Sequence, residues 1–418
     1  MKIYKLETYM VNFSKKVISL LVTVLAVAGM FIVNAGAFDA KERVACFTEN
    51  NTEIVCIAHR GDWHSYPENS AEAVKAAAEY GVVSVDIKLT SDGQPVLMAD
   101  ETISRMCACS DGKPVSGDVK SFTLSELKEL RLRGGNGSDR NVVTDFIPAS
   151  LEDAAETAGT NAALMLNLSC SDFKAVYEKV KELNISDRVI FRFSDSNKKI
   201  LETVKGISDI NVCGNYQGNI IFLATGAIKN SFANGINTVE LGSANGHGVL
   251  YDNFLMKRFD SRGKAMVSMV NGRCGKRADS EIGWDDLISR GYSIIETDYP
   301  KELSEYIEKT GNAKTELERY LSLYEDTDLS PYTTDTETAF NNAVSQAKTV
   351  LKKSSSLSDI ENARYSLQSA ADKLTVGAKK AVTLSFKITP GRIAAVVLCG
   401  AAVLVSQILL YKRREKKD

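Results

Sequence analysis

The stretch Ala58-His59-Arg60-Gly61-Asp62-Trp63-His64-Ser65-Tyr66-Pro67-Glu68-Asn69-Ser70 is where residue types and spacing could first do chemistry. A histidine can move a proton. The arginine beside it carries a permanent charge on a planar donor fork, and the pair suits a phosphate oxyanion. Pro67 stiffens the turn, and Glu68-Asn69-Ser70 supplies polar and capping groups ahead of a helix. His-Arg-Gly alone is equally an incidental surface turn. Followed after five residues by Pro-Glu-Asn-Ser, it becomes far more specific. The apolar run Ile54–Ile57 before it reads as a buried strand, and Ala71–Tyr80 after it as a helix.

The pattern resembles the opening motif of the glycerophosphodiester phosphodiesterase family. The resemblance continues through Asp86-Ile87-Lys88-Leu89-Thr90-Ser91-Asp92-Gly93, Val96 to Arg105, Leu124-Ser125-Glu126-Leu127 and Ile147 to Ala154, and closes at Thr297-Asp298-Tyr299-Pro300. It implies a (β/α)8 TIM barrel that cleaves glycerophosphodiesters to glycerol 3-phosphate and an alcohol with a divalent metal, calcium or magnesium. By position, it implies that His59 and Arg60 are catalytic, Glu68 and Asn69 bind substrate, and Asp86 holds the metal. Two histidines would serve as acid and base, and a hard cation needs several carboxylate oxygens.

The chain departs from that pattern in three places. Ser84 stands where the first acid of a Glu-x-Asp metal pair belongs, and Gly81–Asp86 is shorter than usual. Ala99 stands where the second catalytic histidine belongs, and Met165-Leu166-Asn167-Leu168-Ser169 lacks a further metal acid. Alanine cannot transfer a proton, and losing two carboxylates costs several kcal/mol of dication binding. These losses imply a degenerate site that is weak or inactive as a hydrolase and that needs no cofactor. The alternative is an active phosphodiesterase with a rebuilt site, in which Asp62, Glu240, Glu296 and Asp298 at the barrel mouth, or His64 as acid, replace what is missing.

The elements that would position these residues alternate. Strands are expected at Val82–Leu89, Pro95–Met98, Ala163–Leu168, Val189–Phe193, Asn237–Leu241, Ala265–Val270 and Tyr292–Glu296, with helical stretches between them. A doubly wound sheet shares this alternation, so the barrel, placed at residues 50–311, leans on the resemblance. From Ala313 the strand signals stop. Apolar stripes through Leu317-Leu321, Ala339 to Leu351 and Ile360 to Leu374 predict a small all-α three-helix bundle at 312–376. The stripes resemble small three-helix modules of Gram-positive surface proteins, which implies a spacer or a wall-binding unit.

The ends set the compartment. Lys15-Lys16, the apolar run Val17–Val33 and Ala35-Gly36-Ala37 read as a signal peptide over 1–37. The uncharged run at 393–411 is long enough to cross a bilayer, and the basic tail at 412–418 follows at once. The positive-inside rule puts that tail in the cytoplasm and the rest outside, as a single-pass protein of the cell membrane. The net charge is −2 with both ends basic, so the segment between is acidic, which argues against nucleic acid. The expected partner is a phosphodiester or phosphate-bearing small molecule or an envelope polymer. None of the eight cysteines has zinc-site spacing. Cys46 and Cys56, flanking a polar turn, are expected to form a disulfide, whereas Cys170 and Cys213 read as buried thiols.

Overall fold

The structure, a computed structural model, describes residues 39–49, 51–137, 141–242, 253–259, 262–270, 279–324, 326–353 and 355–376. The expected signal peptide and the expected membrane run at 393–411 lie outside the described residues. Among the described residues no helix is long and apolar enough to cross a membrane.

In chain order the first elements are α1 (Ala40–Thr48), β1 (Val55–His59), α2 (Ala71–Ala77), β2 (Val82–Leu89) and β3 (Pro95–Leu97). An excursion follows with β4 (Cys107–Ala108), α3 (Leu124–Lys128) and β5 (Arg131–Leu132). Then come α4 (Leu151–Ala158), β6 (Ala163–Leu168), α5 (Phe173–Glu182), β7 (Val189–Phe193), α6 (Asn197–Thr203), β8 (Asn211–Gln217), α7 (Ile221–Ala233) and β9 (Thr238–Gly242). The last are α8 (Asn253–Met256), β10 (Lys264–Ser268), α9 (Glu281–Ser289), β11 (Tyr292–Thr297), α10 (Pro300–Tyr324), α11 (Thr334–Leu351) and α12 (Leu357–Asp372).

Strands β1, β2 and β6 to β11 pair in parallel, and β1 pairs with both β2 and β11, so the sheet closes into an eight-stranded barrel. The side-chain period of two then sorts each strand. Outward residues such as Val83, Val85, Leu164, Val239 and Val267 pack against the helices. Inward residues Val55, Ile57, Met165, Ile190, Cys213, Met266 and Ile294 fill the barrel interior. Two residues further along the inward face the character changes, giving His59, Asn167, Arg192, Asn215 and Glu296 at the carboxyl ends of the strands. Sites of this fold sit at that end.

The opposite end is closed by α1. Its Ala40, Val44 and Phe47 join the interior cluster, the Ala40 amide donates to Thr160 O at 3.0 Å, and Asn237 Nδ2 donates to Thr48 O at 3.1 Å. The Cys46–Cys56 disulfide is not formed, and both residues are free thiols. Cys46 belongs to the plug helix, while the Cys56 thiol reaches toward Pro300 O at 3.7 Å. Cys170 and Cys213 are buried free thiols, as expected.

Strand β8 and helix α7 are absent from the sequence expectations. The polar residues of Asn211–Gln217 disguise a strand whose Cys213, Asn215 and Gln217 point inward. Gly214 lets α7 approach closely, since a Cβ there would meet Ser231 Oγ at 2.6 Å. Helix α10 runs unbroken through the expected boundary at 311/312. Its first half packs Leu303 and Tyr306 on the barrel, and its second half gives Leu317 and Leu321 to a separate core with Phe340, Ala347, Ile360 and Leu367 of α11 and α12. The two parts are latched where Asp285 accepts from Tyr306 Oη at 2.8 Å and from the Ser358 amide at 3.0 Å.

Candidate active site at the barrel mouth

His59 ends β1, and the chain turns back at once. Arg60 and Gly61 both adopt positive φ, 58° and 79°. A Cβ at Gly61 would lie 2.5 Å from the Ala73 carbonyl carbon, so only glycine fits against α2. The Pro-Glu-Asn-Ser stretch then divides its work. Ser70 caps α2, accepting from the Ala73 amide at 3.0 Å. Glu68 Oε2 accepts from Arg60 Nη1 at 2.7 Å. Asn69 Nδ2 donates to Asp86 Oδ2 at 3.2 Å, and Asn69 Oδ1 accepts from the Asp86 amide at 2.9 Å.

These contacts fix the seat. Arg60 Nε donates to Asp86 Oδ2 at 2.7 Å, so one guanidinium spans Asp86 and Glu68. Glu68 is also paired with Arg105 from the excursion after β3, at 2.5 Å. Arg105 in turn binds Asp100 at 2.6 Å, which ties the excursion to the site. Burial opposes ionisation of Asp86, but Arg60, His59 and Asn69 outweigh it and hold the carboxyl below its ordinary value.

His59 Nδ1 lies 2.8 Å from Asp298 Oδ1, which also accepts from Trp63 Nε1 at 2.8 Å. Asp298 is held from behind by Asp279, which accepts from the Asp298 amide at 2.8 Å. A carboxylate on Nδ1 orients the ring and leaves Nε2 as the nitrogen for exchange with a ligand.

A cavity of about 300 Å³ opens above these groups, lined by residues that include His59, Arg60, Asp86, Lys88, Ala99 and Arg192. Of the residues singled out by sequence, His59, Arg60 and Asp86 come together on its wall. Glu68 and Asn69, fully buried, stand behind the wall and hold Arg60 and Asp86. Glu240 and Glu296 line the cavity, Asp298 backs His59, and Ala99 presents a methyl group to it. Asp62 is not on the wall. Neither is His64, which stacks between Trp63 and Tyr299 with ring centroids 3.9 and 5.0 Å away.

Arg192 is the residue that sequence reasoning missed. It is buried, and its register neighbour on β6 is Asn167, which neighbours Asp86 on β2. It grips Glu240 with Nε and Nη2 at 2.7 and 2.6 Å and reaches both Glu296 oxygens with Nη1 at 2.8 Å. Glu296 Oε1 also accepts from Ser84 Oγ at 2.7 Å. Burial raises the cost of charging Glu296, yet Arg192 outweighs it and holds the carboxyl well below its ordinary value. The available signal was a lone charge in an apolar strand, as in Val-Ile-Phe-Arg-Phe and Thr-Val-Glu-Leu.

The donor set does not fit a divalent cation. Asp86 Oδ2 is taken by Arg60 and Asn69, and its Oδ1 by Asn167 Nδ2 at 3.3 Å. Glu240 and Glu296 already face a guanidinium, and Ser84 and Asn167 bring no charge. Among the described residues no three His, Cys, Asp or Glu side chains are grouped to hold a metal.

The site thus combines a closed parallel barrel, a mouth built on a His-Arg turn and a histidine oriented by a carboxylate. Residues 59–217 match the Glycerophosphoryl diester phosphodiesterase family. The chain is 34% identical over 163 residues to a Glycerophosphodiester phosphodiesterase of Caldanaerobacter subterraneus, covering 37% of this chain and 62% of that protein. It is 33% identical over 132 residues to Glycerophosphodiester phosphodiesterase 1 of Homo sapiens, covering 31% and 38%. The chain thus spans less than two thirds of the length of either relative. A crystal structure from Silicibacter pomeroyi described as "Putative glycerophosphoryl diester phosphodiesterase" superposes with a TM-score of 0.52 at 17% identity, covering 66% of this chain and 98% of that one. This last likeness concerns the fold. Glu240, Glu296 and Asp298 fall beyond the family-matched stretch.

Proposed function

We propose that the barrel binds a phosphodiester, or another phosphate-bearing small molecule or envelope polymer, at the His59–Arg60 turn and hydrolyses it weakly or not at all. Ala99 carries this reading. It lines the cavity with a methyl group, leaving His59 as the one histidine on the wall among the described residues. Hydrolysis of a diester needs one group to take a proton from water and another to give one to the leaving alcohol. Here Asp298 orients His59 for one of these tasks, and the methyl group of Ala99 supplies no proton-transferring group for the other. Arg60 is held rigid by Asp86 and Glu68, and it supplies a fixed cation for a phosphate oxygen.

The test compares the purified full chain with its His59→Ala variant on glycerophosphodiesters, with calcium and with chelator. The expected result is background turnover by both proteins, alongside binding of glycerol 3-phosphate that falls about tenfold or more in Arg60→Ala. Robust wild-type turnover abolished by His59→Ala would overturn the reading.

One observation favours a rebuilt enzyme as the second reading. Glu296 places a carboxylate 2.7 Å from Ser84 Oγ, close to where the resemblance puts the first metal acid. The same turnover assay decides between the two.

The apolar runs at 17–33 and 393–411 support a tethered topology, with the barrel outside the cell membrane and the basic tail at 412–418 inside. In that arrangement the helical bundle serves as a spacer between barrel and bilayer.

A further inference from the structure

We propose that the Arg192 guanidinium is the resident cation of this barrel mouth, standing where a divalent metal would otherwise be caged, and that phosphate ligands bind here without metal. The statement about ligands rests on the function proposed above. The statement about the cation does not.

Arg192 sits on the inward face of β7, two residues beyond the interior residue Ile190. All three of its nitrogens are engaged in a built cage. Nε and Nη2 take both oxygens of Glu240, Nη1 takes both oxygens of Glu296, and Nη1 lies 3.5 Å from Asn167 Oδ1. Ser84 closes the cage by donating to Glu296. The cage thus draws on β2, β6, β7, β9 and β11, and its members are buried or line the cavity. Oxygen-rich, carboxylate-bearing and open on one side, it has the chemistry that holds calcium or magnesium, yet a guanidinium fills it.

The substitution has two electrostatic consequences. Guanidinium cannot lose its proton, so the positive charge is permanent and needs no ion from solution. A dication entering beside it would meet a like charge in a low-dielectric wall while its carboxylate ligands were already paired. The charges on the cavity wall also balance. Arg60, Lys88 and Arg192 stand against Asp86, Glu240 and Glu296. Lys88 is itself paired with Glu101 at 2.6 Å, so an incoming phosphate meets Arg60 on a wall whose carboxylates are already offset without a metal. A merely structural ion triad would make no statement about metal, so metal binding is the discriminating readout.

Chelator-stripped full chain is titrated with calcium and with magnesium by calorimetry, and glycerol 3-phosphate is then titrated in chelator and in about 1 mM calcium. The expected result is no saturable metal site and a ligand affinity unchanged between the two conditions. A one-to-one calcium site lost in Asp86→Asn overturns the proposal, as does ligand binding that requires calcium. Failure of glycerol 3-phosphate to bind under either condition overturns the proposed function, and the metal titration still decides this inference. In the Arg192→Met variant Glu240 and Glu296 lose their guanidinium partner, and the variant should gain calcium binding that raises its melting temperature, which calcium does not do for the wild type. A folded variant that ignores calcium overturns the proposal, and one that folds only with calcium supports it. If the variant is not recovered, the wild-type titration is the deciding measurement.

Discussion

Gly61 shows how a single atom sets the site. Its φ is 79°, and a Cβ added there would lie 2.5 Å from the Ala73 backbone, which leaves no room for a side chain. Gly61→Ala should therefore cost about 2 kcal/mol or more in denaturant unfolding, because both backbone strain and a clash with backbone are imposed. It should also displace Arg60, whose carbonyl accepts from the Asn69 amide at 3.0 Å within the same turn, so phosphate binding should weaken in the protein that remains folded. Unchanged stability would mean that the turn relaxes in a way the geometry does not suggest. His59, Arg60, Gly61 and Ser70 were all legible from a dozen consecutive residues, because a turn and a helix cap are local structures. Arg105 and Arg192 were not, because the carboxylates that tie them into the site, Glu68 for Arg105 and Glu240 and Glu296 for Arg192, lie far along the chain.

At the scale of strands, Arg192, Glu240 and Glu296 stitch β7, β9 and β11 together across the mouth. Glu296 has a folded-state value below its ordinary 4.5. Below that ordinary value the unfolded chain binds the proton more readily than the folded one. The stability contributed by Glu296 is thus complete above about pH 5 and is lost progressively as the pH falls toward the folded value. Asp86, also held below its ordinary value, acts in the same direction. Melting temperatures taken from pH 6 downward should fall steeply for the wild type. Glu296→Gln should start lower, because Arg192 loses a charged partner, and should fall less steeply. Parallel curves for the two proteins would show that the triad does not govern acid stability.

For the whole molecule, barrel and bundle share α10, and Asp285 bridges them by binding Tyr306 Oη and the start of α12. Asp285→Ala should speed amide exchange at Leu357 to Ile360 by about tenfold, the loss of roughly one to two hydrogen bonds, while exchange in the barrel strands stays unchanged. Equal protection in the variant would show that the apolar contact of Leu357 alone holds the bundle. The proposed tethering has its own measurement. Protease added to intact cells should remove the barrel and spare the tail, and a protected barrel would rule out the outward orientation.

The chain alone determined the strand-helix alternation and the His-Arg turn. Each of these depends on a periodic pattern or on a few adjacent residues. It did not determine the plug helix, which gains its place only by filling the open end of a closed barrel, nor β8, whose inward polar residues break the apolar signature of a strand. Tertiary structure also decided the charge balance of the site. Arg192 is separated from Glu240 by 48 residues and from Glu296 by 104. Only closure of the barrel brings their inward faces together, and in that buried wall an unpaired charge is so costly that each must find the others.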